Sequence, residues 1–355
     1  MKIFILINDI TRHAGMERAV CNLANILIKK HTVTILSRDT SNGNAFFPLD
    51  SKIQVIHLGI DIFRASTLQK FKKYFCMYKK LRELAKENTG AVFIATISSV
   101  NALITLLGKN IKTIGCEHFN YDSACFRQKV LRRFFYPRLD FVVCLTNADA
   151  KKYAFIKSNR LSVIPNSLSF ECDVPSDCIA KRIIAVGRLT KQKGFDMLLD
   201  SAVLMKEKIS DWQLDIFGDG EDKDALLEKI ARLKLQSFVS IKSATKNIAE
   251  EYVSSSLFVM SSRYEGLPMV LLEAQHCGIP AVSFDCPTGP NEVIIHGETG
   301  FIVPLGDVTA LAEKTIELAL NEEMRISFGK KAKESSNRFS TETIEKKWDE
   351  LLERM

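Results

Sequence analysis

No run of about 18 apolar residues occurs in the 355-residue chain, so the sequence offers no segment able to cross a membrane as a helix. Nine cysteines are present, yet no pair stands at C-x-x-C spacing, and His and Cys never cluster at ligand spacing. That excludes a zinc module or a disulfide framework and leaves free, buried thiols in a reducing cytoplasm as the expectation. A G-x-G-x-x-G loop is missing after both strands that would carry one, 2–8 and 182–187, which argues against a two-domain nicotinamide oxidoreductase. No helix-turn-helix, zinc-finger or RNA-recognition signature is present, so no nucleic-acid partner is expected. Low-complexity tracts and repeats with a period of about 20–50 residues are also absent. The opening MKIFILINDI has too short an apolar run, met at once by an acidic residue and a turn, to be a signal peptide, and reads as a first strand.

What is present is an ordinary globular composition, 46% hydrophobic and 26% charged. At roughly 100–200 residues per domain, two domains are expected. The net charge of +7 hides an asymmetry. Residues 1–168 carry 26 Lys and Arg against 11 Asp and Glu, whereas the remainder carries 23 against 31. A strongly basic half beside a mildly acidic one points to a polyanion or an anionic membrane surface next to the first half.

Short apolar runs alternate with amphipathic helical stretches. KIFILIN (2–8) reads as a buried strand. A helix over 15–30 follows, with Ala19, Val20, Leu23, Ile26 and Leu27 on one side, and then the strand TVTILS (32–37). VIHL, AVFIAT, TIGC and FVVCLT continue the series. After residue 180 the pattern restarts with RIIAVGRL, WQLDIFGDG, FVSIKSA, LFVMSS, IPAVSF and GFIVP. Between the series, PNSLSFECDVPSDCIAK (165–181) is polar and proline-containing and reads as a linker. Alternation of this kind predicts an α/β protein of two Rossmann-like, doubly wound parallel-sheet domains, 1–168 and 169–337. A last helix over about 338–355 has no partner strand and is expected to pack back on the first domain. Ligands of such sheets bind beyond the carboxyl ends of the strands.

Two segments carry the chemistry. In IIAVGRLTKQKGFDML (183–198) a strand ends at Gly187, a loop carries Arg188 and Lys193, and a helix begins near Gly194. Two cations beside a helix N-terminus suit a diphosphate, Arg gripping it bidentately and Lys acting as a point charge. In SSRYEGLPMVLLEAQHCGIP (261–280) Glu265 precedes a helix start at Gly266–Pro268 and Glu273 lies within that helix. The free N–H groups of this turn form a second anion cradle. Glu273 stands among Val270, Leu271, Leu272 and Ala274, where a carboxylate needs a partner.

Taken with F-G-D-G-E (217–221) and GPNEVIIHGETGFIVPLGD (289–307), the G-R-L-x-x-x-K-G text of 187–194 and the E-x7-E text of 265–273 resemble glycosyltransferase family 4, of the GT-B fold. The resemblance runs over nearly the whole chain. It implies that Arg188 and Lys193 bind the donor diphosphate and stabilise the leaving group. It also implies that Glu273 binds the ribose. Glu265 would contact the transferred sugar with the backbone of Gly266, Leu267, Pro268 and Met269. Gly187 and Gly218 would line the nucleotide, and Ser243, Ala244 and Thr245 would lie near the base. RHAGMER (12–18) is similar to the family's loop after the first strand. Ala14 stands where the first of two glycines is usual, and Gly15 is kept. CEHFN (116–120) matches an E-H segment, which would bring His118 to the donor sugar.

The reaction so implied is transfer of a hexose or N-acetylhexosamine from a UDP-sugar to a glycan acceptor with retention of configuration. The cationic pair does the work of a metal, so neither a metal nor another cofactor is expected. UDP is favoured over GDP by the likeness of the Leu-Pro-Met loop to that of bacterial hexosyl and N-acetylhexosaminyl transferases. Alternatives are a GT-B sugar-nucleotide epimerase and a non-catalytic sugar-nucleotide-binding subunit.

The basic half holds two cationic stretches. LQKFKKYFCMYKKLR (68–82) places Leu68, Phe71, Phe75 and Tyr78 at helical spacing among six Lys and Arg, and FRQKVLRRFFYPR (126–138) mixes five with aromatics. Basic helices with aromatic faces lie on anionic membranes. The expectation is an enzyme peripheral on the inner face of the cytoplasmic membrane. Its acceptor would be lipid-linked, as in bacterial surface polysaccharide, O antigen or lipopolysaccharide assembly. The plainer reading packs the apolar stripe on the sheet and leaves the lysines in water.

Overall fold

The computed structural model describes residues 1–60 and 67–355. The chain divides into two units, Met1–Ser169 with Thr341–Met355, and Phe170–Ser340. Unit 1 runs β1 (Lys2–Ile7), α1 (Gly15–Leu27), β2 (Thr32–Ser37), β3 (Gln54–His57), α2 (Thr67–Glu87), β4 (Val92–Ala95), α3 (Ser98–Ile104), β5 (Lys112–Glu117), α4 (Phe126–Phe135), β6 (Phe141–Cys144), α5 (Asn147–Lys152) and β7 (Leu161–Val163). Its strands pair in parallel in the order β3-β2-β1-β4-β5-β6-β7. Helices cover both faces, which is why strands such as Lys2–Ile7 and Phe141–Cys144 read as near-continuous apolar runs.

Unit 2 runs β8 (Arg182–Val186), α6 (Phe195–Lys208), β9 (Gln213–Phe217), α7 (Lys223–Arg232), β10 (Val239–Lys242), α8 (Ile248–Val253), β11 (Leu257–Met260), α9 (Met269–His276), β12 (Ala281–Phe284), α10 (Pro290–Val293), β13 (Gly300–Val303), α11 (Val308–Leu320) and α12 (Glu322–Ser336). Its sheet is also parallel, in the order β10-β9-β8-β11-β12-β13. The order reverses between β8 and β11, and ligands of such sheets bind outside the carboxyl ends of the strands at this switch point. Side-chain caps mark the starts of α11 and α12: Asp307 accepts the Ala310 N–H at 2.9 Å and Asn321 the Met324 N–H at 3.0 Å.

The last helix, α13 (Thr341–Glu353), belongs to unit 1. Ile344, Trp348, Leu351 and Leu352 recur at helical spacing and are buried in the same core as α1 and the inner strands. Each contributes roughly 1.5–3 kcal/mol by leaving water. Lys29 and Lys30 of the segment around the end of α1 pair with Glu345 and Asp349 at 2.6–3.1 Å, exposed contacts that orient the helix more than they stabilise it.

All nine cysteines are free; Cys76 and Cys125 are exposed and the other seven are buried. Strand β7 escapes the sequence reading because its three residues are only half-buried and make no apolar run. Among the described residues no helix is long and apolar enough to cross a membrane.

Candidate active site

The loop leaving β8 carries Gly187, Arg188 and a 3-10 turn over Lys191–Lys193. Gly194 closes it in the left-handed region at φ +64°, and a Cβ there would lie 2.1 Å from the Ser261 carbonyl oxygen. Only glycine lets the two loops touch so closely. Gly187 leaves room for the Lys193 stem, whose carbons lie 3.1–3.2 Å from where a Cβ would stand. Arg188 is exposed and has no ion-pair partner among the described residues.

The loop leaving β11 brings Glu265 to this turn. Lys193 Nζ donates to Glu265 Oε1 at 2.6 Å, and Ser262 Oγ donates to the same oxygen at 2.6 Å. Both charged groups are largely buried, so the contact is much stronger than a surface pair. Around it the two loops are laced together. Arg263 holds Asp196 with both terminal nitrogens at 2.7–2.8 Å and also donates to the Lys191 carbonyl. The Arg263 N–H donates to the Gln192 carbonyl, the Gln192 amide to the Tyr264 carbonyl, and Ser261 Oγ to the Lys193 carbonyl. Burial and the Arg263 fork act oppositely on Asp196, and the fork wins, holding its carboxyl below the ordinary range. Arg263 and Asp196 were not singled out in the sequence; their spacing of 67 residues leaves no local signal.

Helix α9 starts after Pro268. The N–H groups of Gly266, Leu267, Met269 and Val270 have no partner among the described residues and remain open to an anion. Pro268 has no N–H and drops out of the expected donor set, leaving its neighbours to serve. The Glu265 N–H is also committed, to the Pro287 carbonyl. Glu273, 1% exposed, finds its partner in Tyr252, whose hydroxyl donates to Oε2 at 3.3 Å.

Gly218 follows β9, the neighbour of β8. A Cβ there would stand 1.9 Å from the Gly187 carbonyl oxygen, so close strand packing alone demands the glycine. Asp219 accepts the Ala244 N–H at 3.0 Å, tying the FGDG turn to the exposed segment Ser243–Thr245. An Asp-x-Asp spacing, Asp222-Lys223-Asp224, opens α7; among the described residues no three His, Cys, Asp or Glu side chains gather as a metal-holding group.

In unit 1, Gly15 is the first residue of α1, with Ala14 extended before it as N-cap. A Cβ at Gly15 would meet nothing within 4 Å, so packing within the unit does not require glycine there. His118 follows β5. Its Nε2 is sealed from water with no hydrogen-bond partner, beside a small cavity lined by Val20, Leu23, Cys116, Asn166 and Trp348. Burial pushes its pKa down to about 4, so the ring is neutral at pH 7.

Glu117, the residue before it, explains why the strand end is fixed. It is buried and accepts from Arg132 Nη2 at 2.5 Å, Asn101 Nδ2 at 3.1 Å and the Tyr136 hydroxyl. Of the five cations in the stretch 126–138, Arg132, 1% exposed, is not on the surface but is an internal partner of Glu117. Tyr136 is internal too, whereas Phe126, 80% exposed, faces outward with Val130, Phe134, Arg127, Arg133 and Arg138. Helix α2 packs on the sheet through Met77, Leu81 and Ala85, leaving Leu68, Phe71 and Phe75 exposed among Lys70, Lys72 and Lys79. Tyr78 is only half-buried, its hydroxyl on the Leu106 carbonyl at 3.5 Å. Helix α3 lies between the two, through Tyr74 Oη to Ser99 Oγ at 2.8 Å on one side and, on the other, a depression shared by Leu106, Val130 and Phe134.

Comparison with known proteins adds independent findings. Residues 13–171 match the family model described as Glycosyltransferase Family 4, and residues 179–335 match that described as Glycosyl transferases group 1. The chain is 32% identical to the amylovoran biosynthesis glycosyltransferase AmsD of Erwinia amylovora, covering 99% of both chains. It is 30% identical to the "GalNAc-alpha-(1->4)-GalNAc-alpha-(1->3)-diNAcBac-PP-undecaprenol alpha-1,4-N-acetyl-D-galactosaminyltransferase" of Campylobacter jejuni subsp. jejuni serotype O:2, covering 99% of this chain and 98% of that one. Among solved structures, a mutant of S. aureus TarM in complex with Fondaparinux, alpha-GlcNAc-glycerol and UDP superposes over 99% of both chains, with a TM-score of 0.84 at 16% identity. That likeness shows a shared fold.

Proposed function

The chain belongs to glycosyltransferase family 4 and has the GT-B fold, and from that premise we propose that it is a retaining transferase of bacterial surface-polysaccharide assembly. It moves a hexose or N-acetylhexosamine from a UDP-sugar to a glycan acceptor carried on a lipid. The observation that carries the donor assignment is the Lys193–Glu265 contact at 2.6 Å beside the four open N–H groups at the start of α9. A site with a lysine, an unpaired Arg188 and a helix N-terminus at a sheet switch point is built for a nucleoside diphosphate. The UDP in the TarM complex and the undecaprenol-linked acceptor in the Campylobacter relative's name support the choice of donor and acceptor class.

In this reading the bond between the sugar C1 and the β-phosphate oxygen breaks, and the acceptor oxygen bonds to C1 on the same face. The acceptor proton leaves on the departing diphosphate, the nearest base on that face. Arg188, Lys193 and the N–H groups of Gly266, Leu267 and Met269 stabilise the charge that builds on the leaving group, which is electrostatic preorganisation. Glu273 holds the ribose, Glu265 meets the transferred sugar, and Ser243–Thr245 lie by the base. No step is assigned to a metal or other cofactor. The exposed aromatic and cationic residues of α2 and α4 set unit 1 on an anionic membrane, where a lipid-linked acceptor resides.

The test is UDP or GDP release from a panel of sugar nucleotides, with and without glucose, galactose or N-acetylglucosamine linked to polyprenyl diphosphate. Acceptor-stimulated UDP release with retained anomeric configuration in the product is expected. Conversion of donor alone to an epimer would favour the epimerase reading, and no turnover of any donor the binding-subunit reading.

A further inference from the structure

A second arrangement of polar side chains sits at the carboxyl edge of the unit 1 sheet, away from His118. Ser37 ends β2 and pairs in register with His57, which ends β3. Asp39 follows on the next turn and is largely buried. Its Oδ1 accepts the Ser41 N–H at 2.8 Å and the Ser41 hydroxyl at 2.6 Å, and its Oδ2 accepts the Ser37 hydroxyl. His57 Nδ1 lies 3.0 Å from both carboxylate oxygens. Burial alone would raise the Asp39 pKa, but the hydrogen bonds from Ser37, Ser41 and His57 outweigh it and hold it at about 2.

An ionised carboxylate only accepts, so His57 Nδ1 must be the donor. In the ring's neutral form the proton is therefore on Nδ1 and a lone pair is on Nε2. Nε2 has no partner among the described residues, and the side chain keeps 13% of its surface open to solvent. Asp39 already receives three hydrogen bonds from the two serines, so it does not need the imidazole to satisfy it; the dependence runs the other way, with Asp39 orienting the ring. Ser37 Oγ also accepts the Ile10 N–H at 3.0 Å, which ties this arrangement to the loop leading to Ala14 and Gly15. His57 ends the edge strand β3 on the carboxyl side of the sheet, the side on which ligands of parallel α/β sheets bind.

We propose that His57 Nε2 accepts a hydrogen bond from a hydroxyl of the acceptor glycan, with Asp39 as the residue that positions the ring. The nature of the ligand rests on the transferase reading above. His57 is thereby a recognition residue for the acceptor, and the donor site of unit 2 does not depend on it.

The experiment uses the full chain and three variants. His57→Phe keeps the ring's bulk without nitrogen, His57→Gln restores an acceptor atom, and Asp39→Asn weakens the hold on the ring. Initial rates of UDP release are followed against acceptor concentration at saturating donor, with the fastest acceptor of the panel above. His57→Phe is expected to raise the acceptor KM roughly five- to tenfold, the worth of one hydrogen bond, with kcat within about twofold. Asp39→Asn is expected to fall between it and the parent, and His57→Gln to recover part of the loss. An acceptor KM for His57→Phe within twofold of the parent overturns the proposal. A parent chain with no acceptor-dependent release sinks the transferase reading instead. The proposal is then read by nitrogen NMR of histidine-labelled protein titrated with methyl α-glucoside, the His57 signal being identified by its loss in His57→Phe. A shift of the Nε2 signal supports it, and an unmoved signal overturns it.

Discussion

Lys193 Nζ lies 2.6 Å from Glu265 Oε1, so the lysine assigned to the donor diphosphate is already held by a carboxylate of the same unit. A diphosphate that recruits this ammonium must compete with Glu265. Glu265→Gln is therefore expected to tighten UDP binding severalfold by calorimetry while lowering kcat, because the carboxylate no longer meets the sugar. Arg188→Ala and Lys193→Ala are each expected to cost roughly 3 kcal/mol or more in the barrier. A kcat like the parent's in both would remove the donor-site assignment.

The Arg263–Asp196 fork holds the loop of Lys193 against the loop of Glu265. As a partly exposed pair it adds only about 0–1 kcal/mol to stability. Its weight falls on geometry, where a displacement of about 1 Å can cost a hundredfold in rate. Arg263→Lys, which loses the two-pronged grip, is expected to lower kcat/KM at least tenfold with the melting temperature nearly unchanged. A large drop in melting temperature with kcat/KM intact would refute this division.

Arg132 and Glu117, the residue before His118, form a buried pair. Removing one partner strands the other charge, so Arg132→Ala is expected to destabilise unit 1 by about 3–5 kcal/mol in urea unfolding. The double variant Arg132→Met with Glu117→Leu is expected to be less damaging than either single loss. A single variant as stable as the parent would contradict the burial of the pair.

His118 and His276 both have pKa values pushed down to about 4, His118 by burial and His276 by burial with Lys333 nearby. The unfolded chain takes up these protons near pH 6.5 and the folded chain does not until about pH 4, so unfolding gains protons in between. Their contribution makes stability fall as pH drops from about 6.5 to 4 and leaves it flat above. Thermal melts between pH 7 and 5 check this: His118→Gln and His276→Gln should each flatten the loss on acidification. Slopes identical to the parent's would count against both shifts.

Phe71, Phe75, Phe126 and Phe134 stand exposed among cations on α2 and α4. The parent is expected to float with phosphatidylglycerol vesicles, less so at high salt, since each cation near the surface is worth about 1 kcal/mol. Replacing all four by Ser is expected to abolish flotation. No binding by the parent to such vesicles would count against the membrane reading.

The strands were legible because a parallel sheet covered on both faces must be written as apolar runs, and Phe141–Cys144 or Leu257–Met260 carry that signature locally. Strand β7 lacks it. The two apolar stripes of α2 have the same helical period, so the sequence could not tell that Met77 and Leu81 face the sheet while Phe71 and Phe75 face away. Arg132 read as one more surface cation in a basic helix, and only the approach of α4 to β5 turned it into the partner of Glu117.

The local text, then, was enough for the fold class, the restart of the pattern after residue 180 and the choice of Arg188, Lys193, Glu265 and Glu273 as the residues to watch. These depend on periodicity and on chemistry carried within a dozen positions. Their partnerships do not. Lys193 meets Glu265 across 72 residues, and Gly218 backs onto Gly187 across 31, because right-handed crossovers bring the carboxyl ends of separate strands to one edge. Which charges meet there is set by strand order, and strand order leaves no local trace in the sequence.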